Sequence, residues 1–245
     1  MIWENPRHNL RRLHLLLSKN VKNTDVIILP EMFSTGFTLN VRDNFGLMKS
    51  PVIKWMIDIS AEFNAAVCGS LIVKDKNKFY NRFIWAEKNK ELKYYDKRHL
   101  FAFVNEHLNF TPGNSKILIN YKGWRILPLI CYDLRFPVWS RNNDDYDLLI
   151  YVANWPAKRS YAWKSLLTAR AIENQSFVIG VNRVGNDNNG VYHSGDSSVI
   201  APDGKIIFTV SESEIVFTTV LKHTDVKLFR RKFPFLKDRD KFTIL

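Results

Sequence analysis

The sequence predicts an α/β layered fold with mixed sheets, and three observations carry that expectation. Three stretches repeat apolar residues at helical spacing, short runs rich in β-branched and aromatic residues lie between them, and the polar turns KDKNK, KNKE, YKG and PDG separate several of those runs as hairpins. At 245 residues and 46% hydrophobic content the chain is long enough for one large core. No repeat, linker or low-complexity tract divides it, so a single domain over 1–245 is expected.

Taken in order, Leu10, Leu13 and Leu17 with Pro6 upstream set a helix over 8–19, and VIIL (26–29) follows as a strand. Val52, Trp55, Met56, Ile59 and Phe63 set a second helix over 51–64. AAVCGSLIV (65–73), FYNRFIWAE (79–87), KYY (93–95), KILI (116–119) and WRILPLI (124–130) read as strands, then LLIYVA (148–153). A third helix runs from Tyr161 to Gln175, and FVIGVN (177–182), SVI (198–200), KIIFTV (205–210) and EIVFTTV (214–220) close the strand set.

The net charge of +12 would suit an anionic surface if it were gathered into a stripe. It is scattered: the densest groups, KDKNK at 74–78, KNK at 88–90 and RRK at 230–232, read as solvated turns or tail, and no basic stripe interleaved with aromatic residues is visible. A nucleic-acid partner is therefore not expected. The two cysteines, Cys68 and Cys131, stand far apart without CxxC or Cys-His metal spacing, so neither a disulfide framework nor a zinc site is indicated, and a reducing cytoplasm is the natural compartment. The charged N-terminus and the lack of any run near 20 apolar residues argue against a signal peptide and a membrane span.

Chemistry collects at the strand ends. VIILP leads to Glu31, KYYD to Lys97, WRILPLI to Cys131 and LLIYVA to Asn154. In α/β sheets the crevice beyond the carboxyl ends of strands is where ligands bind, so these four groups share an address. A thiol is mostly protonated at neutral pH and needs a base or a cation beside it to act as a nucleophile. Glu31 can be the base and Lys97 the cation. The lysine can also hold the oxyanion formed on attack at a carbonyl, helped by the backbone N–H of Tyr132. A Cys-His arrangement would have to use His99, His107 or His193, none of which follows a strong buried strand. Cys68 reads as an inert core thiol.

PEMFSTGF around Glu31, YDKRHLF around Lys97, LICYDLRFP around Cys131, and VANWP followed by RAIENQ resemble the nitrilase (carbon-nitrogen hydrolase) superfamily over nearly the whole chain, and within it the bacterial omega-amidases. The resemblance implies a four-layer α-β-β-α sandwich that pairs into a homodimer. It carries over Glu31 as general base, Lys97 as oxyanion holder, Cys131 as nucleophile and Glu106 as the second glutamate that positions the lysine or the amide. It also implies ammonia release from small linear carboxamides, chiefly omega-amides of 2-oxo dicarboxylic acids such as 2-oxoglutaramate and 2-oxosuccinamate, without metal or organic cofactor. An aliphatic-amide or N-carbamoyl-amine hydrolase of the same superfamily is the alternative.

The same reading assigns Asp133 and Arg135 to a buried ion pair that steadies the cysteine turn, while keeping Arg135 as a candidate for the substrate carboxylate. Tyr132, Asn154, Trp155 and Phe37 are the other candidate substrate contacts, the two aromatics as pocket walls or as ordinary packing. Arg170, Glu173 and Asn174, at i, i+3, i+4 spacing, read as structural, and Pro137 suits the first turn of a following helix. Members of this superfamily begin with a strand ahead of the WENP segment; this chain starts at MIWENP, so that first strand is expected to be absent, or to lie upstream of the given start.

Overall fold

The computed structural model describes residues 1–244. The helices are α1 (Pro6–Asn20), α2 (Val41–Asn44), α3 (Pro51–Phe63), α4 (Pro137–Ser140), α5 (Ser160–Asn174) and α6 (His223–Lys232). The strands are β1 (Val26–Ile28), β2 (Ala66–Asp75), β3 (Lys78–Ala86), β4 (Leu92–Asp96), β5 (Ile119–Tyr121), β6 (Trp124–Ile130), β7 (Leu148–Ala153), β8 (Phe177–Asn182), β9 (Val184–Asn186), β10 (Tyr192–Ile200) and β11 (Ile206–Ser211).

Two mixed sheets result. One has the order β1-β2-β3-β4, with β1 parallel to β2 and the rest antiparallel. The other runs β11-β10-β8-β7-β6-β5, with β6, β7 and β8 parallel at its centre and β9 paired to β10. The period-2 alternation of a strand decides the layering. In β2 the even residues Ala66 and Cys68, and in β3 the odd residues Phe83 and Trp85, pack against Leu127, Leu129 and Leu149 of the second sheet. Their alternates Val67, Val73, Ile84 and Ala86 pack against Leu17 of α1 and Ile53, Met56 and Ile59 of α3. On the far side, α5 lays Trp163, Leu167 and Ala171 on the second sheet. The layers are helix, sheet, sheet, helix, the α-β-β-α sandwich that the family resemblance implies.

Local signals set the helix ends. Asn5 caps α1 by accepting the His8 N–H at 3.1 Å, with Pro6 in the first turn. Asn64 and Gln175 close α3 and α5 in the left-handed conformation, at φ of 50° and 45°.

Three expectations need correction. EIVFTTV at 214–220 is not a strand: it runs without a ladder partner, anchored by Phe217, whose ring stacks on Phe208 of β11 at 3.4 Å. Strand propensity alone does not form a strand, because the backbone groups need an edge to pair with. The strand in KILI is displaced to start at Ile119, where it meets Ile126 across the YKG turn. Helix α6 was not foreseen; HTDVKLFRRK buries only Val226 and so shows no apolar stripe. No strand precedes α1 among the described residues: Ile2 is instead tied by its backbone to the Asn9 side chain at 2.7 and 2.6 Å. β1 is the outer strand of its sheet, and its open edge borders a cavity of about 290 Å³ shared with Met1, Leu13, Leu17 and residues 214–219.

Candidate active site

The carboxyl ends of β1, β4, β6 and β7 converge as the sequence indicates. Glu31 comes three residues after β1, in a turn pinned to β2 by the Met32 N–H donating to Ser70 Oγ at 3.0 Å. Lys97 is the first residue past β4, and its backbone is bonded to Asn81 O at 3.0 Å and Gly113 N at 2.9 Å. That close approach requires glycine: a Cβ on Gly113 would come within 2.1 Å of the Asp96 carbonyl. Cys131 follows β6 directly and opens a 3-10 turn, Cys131–Arg135, at φ of +44°. A non-glycine residue there costs about 1–3 kcal/mol and persists only where its surroundings enforce it.

Three ionisable side chains meet out of solvent. Lys97 Nζ donates to Glu31 Oε1 at 3.1 Å and to both oxygens of Glu106 at 3.0 Å, and Glu31, Lys97 and Glu106 are all at most 1% exposed. Burial opposes the lysine's charge, but Glu106 and Glu31 outweigh it and hold the ammonium more firmly than in water. Burial raises the Glu106 carboxyl, with Lys97 pulling it down and Glu31 pushing it up. The Cys131 thiol is pushed well up by burial and then by the nearby Glu31, with Lys97 acting the other way. The thiol is therefore protonated at rest, with a carboxylate beside it to receive the proton.

Asn154 places Glu31. Its backbone N–H donates to Glu31 Oε2 at 2.8 Å and its side-chain amide to Glu31 O at 2.6 Å. The Asn154 Oδ1 is buried without a partner. Asn81, which the sequence reading passed over, donates to Glu31 Oε1 at 2.8 Å and reaches toward Glu106 Oε1 at 3.4 Å. Its signal was a polar residue amid the apolar alternation of β3.

The bracing of the cysteine turn differs from the expectation. Asp133 makes no ion pair with Arg135. It accepts from Tyr95 Oη at 2.8 Å, the Ile130 N–H at 3.1 Å, the His99 N–H at 2.9 Å and His99 Nδ1 at 2.8 Å. In a 3-10 turn with three residues per turn, positions i and i+2 diverge, so Asp133 enters the core while Arg135 leaves it. Arg135 lies over the Trp155 ring at 4.9 Å. Arg170 supports the turn from α5, donating to Leu134 O at 2.6 Å and Glu173 Oε1 at 3.0 Å, and Asn174 accepts the Asn142 N–H at 2.9 Å, so this trio is structural. Pro137 opens α4.

Cys131, Lys97, Tyr132, Asn154, Trp155, Phe37 and Arg135 border one cavity of about 930 Å³, and Phe37 lies under Lys97 at 5.6 Å. Glu106 sits behind Lys97, off the cavity wall. Of the histidines, His99 is held by Asp133 and stacks on Phe136 at 3.7 Å, and His193, on the cavity wall, is pushed down to about 4 by burial. Neither bonds to Cys131. Among the described residues no group of three or more His, Cys, Asp or Glu is arranged to hold a metal ion, and no helix is long and apolar enough to cross a membrane.

Residues 2–231 match the family model described as carbon-nitrogen hydrolase. Omega-amidase YafV of Escherichia coli (strain B / BL21-DE3) is 45% identical over 245 residues, covering 100% of this chain and 95% of its own. 2-Oxoglutaramate amidase of Bacillus subtilis (strain 168) is 31% identical over 238 residues, covering 95% and 92%. The crystal structure of XC1258 from Xanthomonas campestris, a CN-hydrolase superfamily protein with an arsenic adduct in its active site, superposes with a TM-score of 0.97 at 41% identity, covering 100% of this chain and 96% of that one.

Proposed function

The chain belongs to the carbon-nitrogen hydrolase family and is a hydrolase acting on amides; we propose that it releases ammonia from omega-amides of short 2-oxo dicarboxylic acids, 2-oxoglutaramate and 2-oxosuccinamate, through a thioester on Cys131. The observation that carries this reading is that Lys97, which borders the cavity with Cys131, bonds the buried carboxylate of Glu31 at 3.1 Å, with Glu31 near enough to Cys131 to raise its thiol.

Glu31 takes the Cys131 proton as Sγ attacks the amide carbon. The oxyanion that forms is held by Lys97 and by the N–H of Tyr132, the second residue of the 3-10 turn, where the first amides have no intrahelical acceptor. The C–N bond breaks as Glu31 returns its proton to nitrogen, and ammonia leaves the thioester. Glu31 then deprotonates a water that attacks the thioester carbon; the carboxylic acid departs and the proton goes back to sulfur. Glu106 keeps Lys97 charged and aimed, and Asn154 keeps Glu31 in place. The Asn154 Oδ1 supplies an acceptor for the substrate NH₂ group, which removes the cost of leaving that buried oxygen unpaired. Arg135 meets the carboxylate end, and Phe37 and Trp155 wall a channel for a linear chain. The relatives that are named for omega-amide and 2-oxoglutaramate hydrolysis support the substrate class.

Ammonia release across 2-oxoglutaramate, glutamine, an aliphatic nitrile and an N-carbamoyl amine tests it. We expect the highest kcat/KM for 2-oxoglutaramate. A different winner overturns the substrate, and no acyl adduct on Cys131 during slowed turnover overturns the mechanism.

A further inference from the structure

Two guanidinium groups share the cavity with Cys131. One is Arg135; the other is Arg159, in the loop between β7 and α5, which also borders the cavity. Each lies on an aromatic ring, Arg135 over Trp155 at 4.9 Å and Arg159 over Phe101 at 5.1 Å. The two platforms are themselves fixed. Trp155 Nε1 donates to the Arg159 carbonyl at 2.8 Å, and Phe101 packs on Tyr132, the residue after the nucleophile, at 4.8 Å. An arginine stacked by its face keeps the N–H edge free for a planar, two-oxygen acceptor.

No carboxylate among the described residues pairs with either guanidinium. Asp133 is committed to Tyr95, His99 and Ile130. The acids on the cavity wall are committed as well, Glu4 to Thr38 and Asp187 to the N–H groups of Asn189 and Val191. Burial and the nearby Arg135 both disfavour the charge on Arg159, whereas negative charge at Cys131 favours it. Two partly buried cations held on rings without a counterion form a site whose repulsion an anion relieves.

We propose that Arg159 and Arg135 together grip the carboxylate end of the substrate, and that Arg159 is the residue that makes the enzyme prefer an anionic amide over a neutral one. The proposal rests on the amidase reading above. It adds a specificity residue that sequence motifs did not single out, and it gives the pocket a direction: amide at Cys131, carboxylate between the two arginines.

The test is Arg159→Gln with Arg159→Lys beside it, measured with 2-oxoglutaramate and with pentanamide, a neutral amide of the same length. We expect Arg159→Gln to raise KM for 2-oxoglutaramate by ~10-fold or more, the scale of one charge-assisted hydrogen bond. Its kcat should stay within about twofold, its pentanamide kcat/KM should not fall, and Arg159→Lys should recover part of the loss. Alkylation of Cys131 gives a readout independent of turnover: the rate ratio of iodoacetate to iodoacetamide should fall in Arg159→Gln. If wild type prefers 2-oxoglutaramate and Arg159→Gln keeps both its KM and its alkylation ratio, the grip is wrong and the amidase reading stands. If wild type shows no preference for 2-oxoglutaramate, the substrate reading falls; the alkylation ratio then decides alone whether Arg159 draws anions to the thiol.

Discussion

Lys97 Nζ lies 3.1 Å from Glu31 Oε1, with both side chains shut away from solvent, so the proposed base and the proposed oxyanion holder form one buried ion pair. Removing one partner of such a pair leaves an uncompensated charge and costs about 3–5 kcal/mol. Lys97→Ala also leaves Glu31 and Glu106 facing each other without their shared cation. We expect it to lose ~100-fold or more in kcat, the scale of an oxyanion donor, together with a clear fall in melting temperature. Glu31→Gln should match the kinetic loss, as removal of a general base. Losses of tenfold or less in both variants would put the chemistry elsewhere.

The two cysteines separate by environment. Cys68 is fully buried between the sheets, where burial alone pushes its thiol far up, while Cys131 meets the cavity beside Glu31. We expect Cys131→Ala to abolish turnover while folding normally and Cys68→Ala to retain it. Intact-mass measurement of the wild-type enzyme, quenched in acid during turnover of 2-oxoglutaramate, should show an acyl adduct that maps to the Cys131 peptide. An adduct on Cys68 would sink the assignment.

Asn81 holds Glu31 from the side opposite Asn154, at 2.8 Å, and its own Oδ1 is buried without a partner. That is an expensive arrangement for a strand residue with only a structural task. We expect Asn81→Ala to lower kcat by ~10-fold with little change in KM, since the base loses its fixed orientation while the carboxylate end of the pocket is untouched. Asn81→Asp, which adds a third carboxylate to the cluster, should be worse than Asn81→Ala. The reverse order would mean that charge at this position is unimportant.

These residues also mark how far the chain could be read before its structure was seen. Strands β6, β7 and β8 were legible to the residue because they are buried over most of their length and form nearly continuous apolar runs, broken only by the exposed Arg125 near the start of β6 and by Asn182 at the end of β8. Glu31, Lys97, Cys131 and Asn154 were legible because each directly follows or nearly follows such a run. Asn81 and Arg159 were not: Asn81 meets Glu31 across 50 residues of sequence, and Arg159 shares the cavity with Cys131 only because β7 and β6 are neighbours. Glu106 had no local signal and came from family likeness alone. Residues 214–220 misled because strand propensity is local while an available edge is not.

Acid should loosen the fold through His193. Burial lowers this histidine from its ordinary 6.5 to about 4, so the unfolded chain takes up a proton before the folded one does. By linkage, its contribution to stability is complete above about pH 6.5, declines as the pH falls through 6.5 toward 4, and levels off below that. At 1.36 kcal/mol per pKa unit the full loss is about 3 kcal/mol. We expect denaturant midpoints to fall across this window and His193→Gln to flatten the dependence. An unchanged slope in the variant would assign the acid sensitivity to the carboxylates.

Asp133 and Arg135 sit two residues apart and yet do different work, which a paired experiment can separate. Asp133 is wholly buried and takes four hydrogen bonds, one of them from the backbone of Ile130, the residue before the nucleophile. Arg135 is partly exposed and lies over the Trp155 ring, with no carboxylate partner among the described residues. If the two formed the ion pair that their spacing suggests, removing either would cost similar stability. With the geometry found, Asp133→Ala strands Tyr95 and His99 and should cost about 3 kcal/mol or more. Arg135→Gln should stay within about 0.5 kcal/mol of wild type, as for a surface substitution, while KM for 2-oxoglutaramate rises. Equal destabilisation by the two variants would restore the ion pair and take Arg135 away from the substrate.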